Sequence, residues 1–333
     1  MKPTHTSKAA LAAMVLACSM APAAADNGGI SFWLPGLFGS FAATPATPGW
    51  AFSTIYYHTS VDAGAGTTFR RGGNFVAGLE GRGDLLMFGP TYTFEQRVFD
   101  AQIAFSLFGI GGRNQAAINA TLTGPLGNSI SGHRSDSLTA FGDIVPQLTM
   151  KWNKGANNFL VYVTGDIPVG SYDPNRLANL GLGHGAIDGG VGYTYLNSQS
   201  GWEFSIVTGM TYNFKNTDID YKNGIDWHVD WGISKMLTKQ VFVGAVGYWF
   251  QQITGDSGSG AVLGPFKSRV GGIGPQFGYL FPVSKEINGV LNVKGYYEFE
   301  AERRPEGWNL WVALNFSQAE QRPMSAQPTM VRK

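Results

Sequence analysis

The sequence predicts an all-β chain, a single transmembrane antiparallel β-barrel of about 12 strands with a plug-like segment at its N-terminus. Three observations carry that prediction. Lys and Arg number 24 and Asp and Glu 23, so charge makes up 14% of the 333 residues, against about 25% in ordinary soluble domains. Glycine (46 residues) and aromatics (13%) are abundant, yet mean hydropathy is only -0.06, so apolar residues are dispersed rather than gathered into helical spans. Second, from residue 50 onward the chain reads as segments of about ten residues with period-two alternation. Third, short and long connections alternate along it, which a soluble sandwich has no reason to do.

The first element is the stretch 1–25. Lys2 and Lys8 precede an apolar run from Ala9 to Ala17, and Ala23-Ala24-Ala25 supplies small residues ahead of Asp26, the layout of a secretory signal peptide. Cleavage after Ala25 takes two lysines and leaves 22 basic against 23 acidic residues, a net charge of minus 1. It also removes Cys18, the single cysteine, so the exported chain is expected to lack disulfides and to be held by a closed barrel. Val15-Leu16-Ala17-Cys18 loosely matches a lipoprotein cleavage box, a lesser alternative because the Ala-x-Ala site lies at a better distance.

Residues 26–49 form the second element, a plug or leader. Ile30 to Gly39 is apolar but too rich in Gly and Pro for a strand. A twelve-stranded barrel has a backbone diameter of roughly 25 Å, which leaves a narrow lumen that such a segment could occupy. Phe32, Trp33, Leu34 and Phe38 are the candidate ligand-facing residues.

The barrel is placed at 50–316, with strand cores at 50–60, 84–94, 99–108, 138–152, 158–168, 186–196, 202–214, 225–235, 241–253, 269–281, 289–302 and 307–316. Connections at 95–98, 153–157, 197–201, 237–240 and 282–288 are short; those at 61–83, 109–137, 169–185, 215–224 and 254–268 are longer and polar or Gly-rich. Outer-membrane barrels have short periplasmic turns and long external loops, so both barrel ends are expected to face the periplasm. In the last strand Trp308, Leu310, Val312, Leu314 and Phe316 share one face and Asn309, Trp311, Ala313 and Asn315 the other. The terminal aromatic resembles the strand signal read by the barrel assembly machinery, although a polar tail, 317–333, follows it. The same alternation puts charge on the inner face. Asp143, Lys151, Glu203, Asp226, His228, Asp230, Lys294, Glu298 and Glu300 are the candidate lumenal polar network, sealing the barrel or tuning its selectivity.

Five groups of residues then bring a family into view: Gly142-Asp143-Ile144, Pro168-Val169-Gly170-Ser171-Tyr172, Asn216-Thr217-Asp218 with Tyr221 and Gly224, Gln252 to Asp256 with Gly258, and Gly274-Pro275-Gln276. From Leu34-Pro35-Gly36 through Phe316 the chain resembles the outer-membrane family associated with the meta-pathway of phenol degradation, similar in architecture to long-chain fatty acid and aromatic-hydrocarbon uptake channels. The resemblance implies a Gram-negative outer-membrane barrel that admits hydrophobic or aromatic small molecules, with outer-membrane lipid and the assembly machinery as its other partners.

Other chemistries have less support. The chain has no basic stripe for nucleic acid and no Gly-rich loop that follows a strand and opens a helix for nucleotides, so no nucleic acid and no cofactor are expected. Asp218-Ile219-Asp220 and Asp256 to Gly260 fall short of a calcium loop's ligand count and read as turns. His58-Thr59-Ser60, and His133-Arg134-Ser135 after it, have the spacing of a base and nucleophile on a strand, but neither shows a compelling third residue to orient the base. The chain is therefore read as a passive channel and not an enzyme, driven by the solute gradient because no energy-coupling box is visible. A structural or partner-binding barrel is the alternative, and an outer-membrane lipid hydrolase the minor one.

Overall fold

The computed structural model describes residues 31–68, 74–123, 128–261, 264–265 and 267–319. Residues 1–30 and 320–333 lie outside it, and with them the expected signal peptide, Cys18 and most of the polar tail.

The described residues form twelve strands: β1 (Gly49–Thr68), β2 (Asn74–Val98), β3 (Ala101–Thr123), β4 (Ser129–Lys154), β5 (Asn157–Asp166), β6 (Ala186–Asn197), β7 (Trp202–Asn213), β8 (Asp226–Met236), β9 (Val241–Gln252), β10 (Arg269–Pro282), β11 (Ile287–Glu302) and β12 (Glu306–Gln318). Each pairs antiparallel with its sequence neighbours, and β12 closes on β1 with Tyr57 opposite Trp311, so the sheet is a closed barrel with strand order equal to chain order. Closure removes the sheet edges that hydrocarbon could not satisfy. The barrel begins at Gly49 and ends at Gln318 on the same rim, called proximal below.

Alternation sorts the side chains as the sequence predicts. On β7 Glu203, Ser205, Val207 and Thr211 are buried in the interior, while Trp202, Phe204, Ile206, Met210 and Tyr212 are exposed on the outside. Ten residue steps from Trp202 to Tyr212, tilted near 40°, span about 25 Å of height, the thickness of an outer-membrane apolar band. Aromatic residues collect at both rims of that band: Trp50, Tyr92, Phe94 and Trp202 on the proximal side, Tyr212, Phe214, Tyr297 and Trp308 on the distal side.

Two expectations are corrected. Segments 61–83 and 109–137, read above as loops, are largely strand, because β1 to β4 run on for about ten residues beyond the distal rim. The register of β1 on β2 is unbroken from Gly49 opposite Thr93 to Thr68 opposite Asn74. The apolar period ends there because the lipid ends, but backbone pairing does not need an apolar face. Cross-strand hydroxyl pairs such as Thr121 with Ser131 (2.9 Å) and Thr123 with Ser129 (2.9 Å) continue the ladder in water. The second correction is Glu300. A register shift between β10 and β11 past Arg269 breaks the alternation, Glu300 takes a positive φ of 55°, and its side chain turns out to solvent 3.6 Å from Arg269. It takes no part in the lumen.

Candidate ligand site in the barrel lumen

Residues 31–48 lie inside the barrel, in an irregular conformation that leaves their backbone polar groups to be satisfied by the wall. Four of the inward charges do that. Asp230 on β8 accepts from the Gly36 and Phe38 amides (3.0 Å each). Lys294 on β11, across the lumen, donates to the carbonyls of Gly36 (2.5 Å), Leu37 (3.0 Å) and Phe38 (3.2 Å). One turn of chain is thus clamped between an anion that reads its donors and a cation that reads its acceptors. Further along, Glu203 accepts from the Phe41 amide (2.8 Å), Thr194 from the Ala43 amide (3.0 Å), Lys151 donates to the Thr44 carbonyl (3.0 Å), and Gln102 both accepts from and donates to Ala46 (2.9 and 2.8 Å).

The remaining sequence-selected residues brace the wall. Glu298 accepts from Tyr248 (2.7 Å), the Gly307 amide (2.9 Å) and Asn309 (3.3 Å), and Asp226 from Asn213 (3.0 Å). His228 donates from Nε2 to Asp188 (2.9 Å), while Trp33 stacks on its imidazole with ring centroids 3.7 Å apart. Phe38 packs on Tyr162 at 5.3 Å. Trp33, only 2% exposed, is therefore the anchor of the segment.

A second inward element comes from the distal side. The connection 167–185 folds into the mouth, burying Ala178, Leu180, Leu182 and His184. Asp143 on β4 holds it by accepting from the Gly170 and Leu182 amides (2.7 Å each). Arg176 forks onto Asp136 (2.7 and 3.2 Å), and Asn114 donates to the Asn179 carbonyl (2.9 Å). Backbone touches backbone here: a Cβ on Gly170 would strike Gly142, and one on Gly181 would lie 2.8 Å from the Gly170 carbonyl carbon. The glycines and the aspartate of two of the motifs noted above are thus the parts of this latch. Burial pushes the His184 imidazole below its usual range, against the opposing pull of the Gly185 carbonyl and Asp143.

Between the two inward elements and the wall of β1 to β5 lies a cavity of about 230 Å³. Phe32, Trp33, Leu34 and Phe38 line it on one side, and Ile55, Leu85, Met87, Phe108, Ile110 and Val145 on the other. Leu180 and Leu182 close it distally, and Asp143, Gln147, Thr164 and Asp166 supply its polar edge. The four residues selected from sequence as ligand-facing are brought together on this cavity. Sequence reasoning missed Asp166, Asp188, Tyr162 and the folded-in connection. The first three were legible, since Leu160, Tyr162, Thr164 and Asp166 alternate with Phe159, Val161 and Val163, and Asp188 follows the outward Ile187.

The residues weighed for catalysis are placed as follows. His58 Nδ1 lies 2.7 Å from Asp84, an orienting partner the sequence did not reveal, but no hydrogen bond joins the imidazole to Ser60 among the described residues. Asp256 is spent on Tyr221 (2.5 Å), the Gly224 amide (3.0 Å) and Gln252 (2.6 Å), and Asp220 on Lys215 and Ser259, so both acidic patches tie the distal connections together. No cluster of three metal-binding side chains occurs among the described residues.

A closed twelve-stranded barrel with an apolar outer band, polar interior and inward-folded segments defines a transmembrane β-barrel of the outer-membrane class. The chain belongs to the family described as "Putative MetA-pathway of phenol degradation", whose profile matches residues 65–314. Its fold is similar to that of the COG4313 outer membrane channel from Pseudomonas putida F1, at a TM-score of 0.61 and 11% identity over 83% of this chain and 97% of that one. Weaker similarity is found to the CymD monoaromatic hydrocarbon channel (TM-score 0.40, 6% identity, 83% and 90% covered) and to a FadL homologue from Pseudomonas aeruginosa (TM-score 0.34, 7% identity, 80% and 89% covered). No curated protein matches the chain by sequence.

Proposed function

We propose that this protein is a passive outer-membrane channel for hydrophobic or aromatic small molecules, with residues 26–49 as its plug and residues 1–25 as a cleaved signal peptide. The observation that carries the reading is the apolar cavity in the lumen, walled by Phe32, Trp33, Leu34 and Phe38. A lumen rich in Asp, Glu and Lys is poor ground for an apolar solute. The clamp changes that, because Asp230, Lys294, Glu203 and Lys151 are consumed by the backbone of the plug, whose side chains present hydrocarbon instead. A purely structural barrel has no use for an apolar space enclosed by its own plug.

The test is flux of a small aromatic panel into liposomes, comparing the intact chain with one lacking Gly28 to Thr44. Flux above protein-free liposomes that changes on deletion is expected. No flux from either form, with the barrel folded, would refute transport and favour the structural or partner-binding alternative.

A further inference from the structure

We propose that Asp166 is a specificity-determining residue of the lumenal cavity, selecting single-ring aromatic molecules that carry an O–H or N–H donor over bare hydrocarbons of the same size. The inference rests on the channel reading above. Among the polar groups at the cavity, Asp143 is spent on two amides, Thr164 donates to the Pro146 carbonyl (2.9 Å), and Ser31 donates to the Trp33 carbonyl (2.8 Å). Asp166 is different. It is 8% exposed, and its Oδ2 has no hydrogen-bond partner among the described residues. No Lys, Arg or His lines the cavity to neutralise it.

A buried carboxylate oxygen without a partner is costly until something donates to it. The walls favour an aromatic ring, and a void of about 150 Å³ already accepts benzene, so 230 Å³ has room for one ring with a small substituent. A donor on that substituent satisfies the orphan oxygen; a methyl group in its place leaves it orphaned. Sites built around a hydrogen bond reject ligands that lack it far more strongly than apolar pockets reject a missing methylene. Trp33 Nε1, also buried and unpartnered among the described residues, offers a complementary donor to a hydroxyl oxygen.

The experiment is equilibrium binding of phenol, toluene and anisole to the purified full chain in detergent, with folding checked by heat-modifiable electrophoretic mobility. Phenol and toluene match in size, and anisole is phenol with its donor methylated. Wild type should prefer phenol to both others by about tenfold or more, the size of effect one hydrogen bond supplies. Asp166→Leu should abolish that preference while still binding toluene, and Asp166→Asn, which keeps an acceptor oxygen, should retain most of it. Anisole binding wild type as well as phenol would overturn the proposal without any variant. So would an unchanged phenol to toluene ratio in Asp166→Leu. If wild type binds none of the three, the cavity is not a ligand site and the channel reading fails with the proposal; if it binds all three equally, only the proposal fails.

Discussion

Removing the Asp230 carboxylate should release the lumenal segment. Asp230 is 1% exposed and accepts from two amides, Gly36 and Phe38, which in Asp230→Ala become buried donors without an acceptor. Each orphaned donor costs about 1–3 kcal/mol, so the docked state loses roughly 2–6 kcal/mol relative to the displaced one. At 1.4 kcal/mol per tenfold, the displaced population rises by a factor of at least about 30. The rise can be read with a thiol. Ala43 is 0% exposed, and Cys18 is the single native cysteine, so Ala43→Cys in a Cys18→Ser background reports exposure of the segment alone. Labelling by a membrane-impermeant maleimide through local opening should accelerate at least about 30-fold when Asp230→Ala is added. Single-channel conductance should increase with it. Asp230→Asn, which retains an acceptor, should fall between. Unchanged labelling and unchanged conductance in a folded Asp230→Ala barrel would refute the clamp.

Three other perturbations follow from the same geometry. A Cβ on Gly232 would lie 2.7 Å from the Ser40 amide nitrogen, so Gly232→Val should push the segment off β8 and raise conductance, in a strand where valine is otherwise welcome. Asp136 accepts from the Leu177 and Ala178 amides (3.2 Å each) as well as from Arg176, so Asp136→Ala should loosen the folded-in connection and speed trypsin cleavage after Arg176 by about tenfold; an unchanged rate would show that Asp143 holds it unaided. His184 has a depressed folded pKa, so protonation favours the state in which it is solvated: the connection should be fully held above about pH 6.5 and loosen as pH falls below it. Trypsin susceptibility between pH 7.5 and 5.5 checks this, and His184→Gln should flatten the dependence.

The barrel was legible in the sequence because lipid imposes a period of two on every spanning strand, and eight of the twelve strands are little more than the band that period marks. The four long strands were not, for a physical reason: beyond the lipid, Gln115, Asn119, Thr121 and their partners on β4 pair through the backbone in polar surroundings, and no hydrophobic signal remains to read. Glu300 failed for the same kind of reason in reverse, since one bulge shifts every later residue to the other face and leaves no mark in composition. The inward charges could be counted from alternation, but their partners could not. Asp230 and Gly36 are separated by 194 residues, and a carboxylate that docks an amide looks in sequence like one that seals against a lysine.

That ambiguity bears on how the lumen works. If the inward charges paired mainly with one another they would form a polar seal indifferent to residues 31–48. Instead Asp230 and Lys294 both turn to the stretch Gly36 to Phe38: Asp230 takes the amides of Gly36 and Phe38, while Lys294 takes the carbonyls of Gly36, Leu37 and Phe38. A backbone held at both its donors and its acceptors has only its side chains left to offer, and here those are Leu37 and Phe38, which line the cavity. The polar wall and the apolar site are therefore parts of one arrangement: charge positions the segment, and the positioned segment covers the charge. Lys294→Met should uncover it, leaving the Leu37 and Phe38 carbonyls without the Lys294 donor and the Gly36 carbonyl with Tyr296 alone, and should weaken aromatic binding although Lys294 is not among the residues that line the cavity. Unchanged aromatic affinity in folded Lys294→Met would separate the two parts and leave the cavity a property of the segment alone.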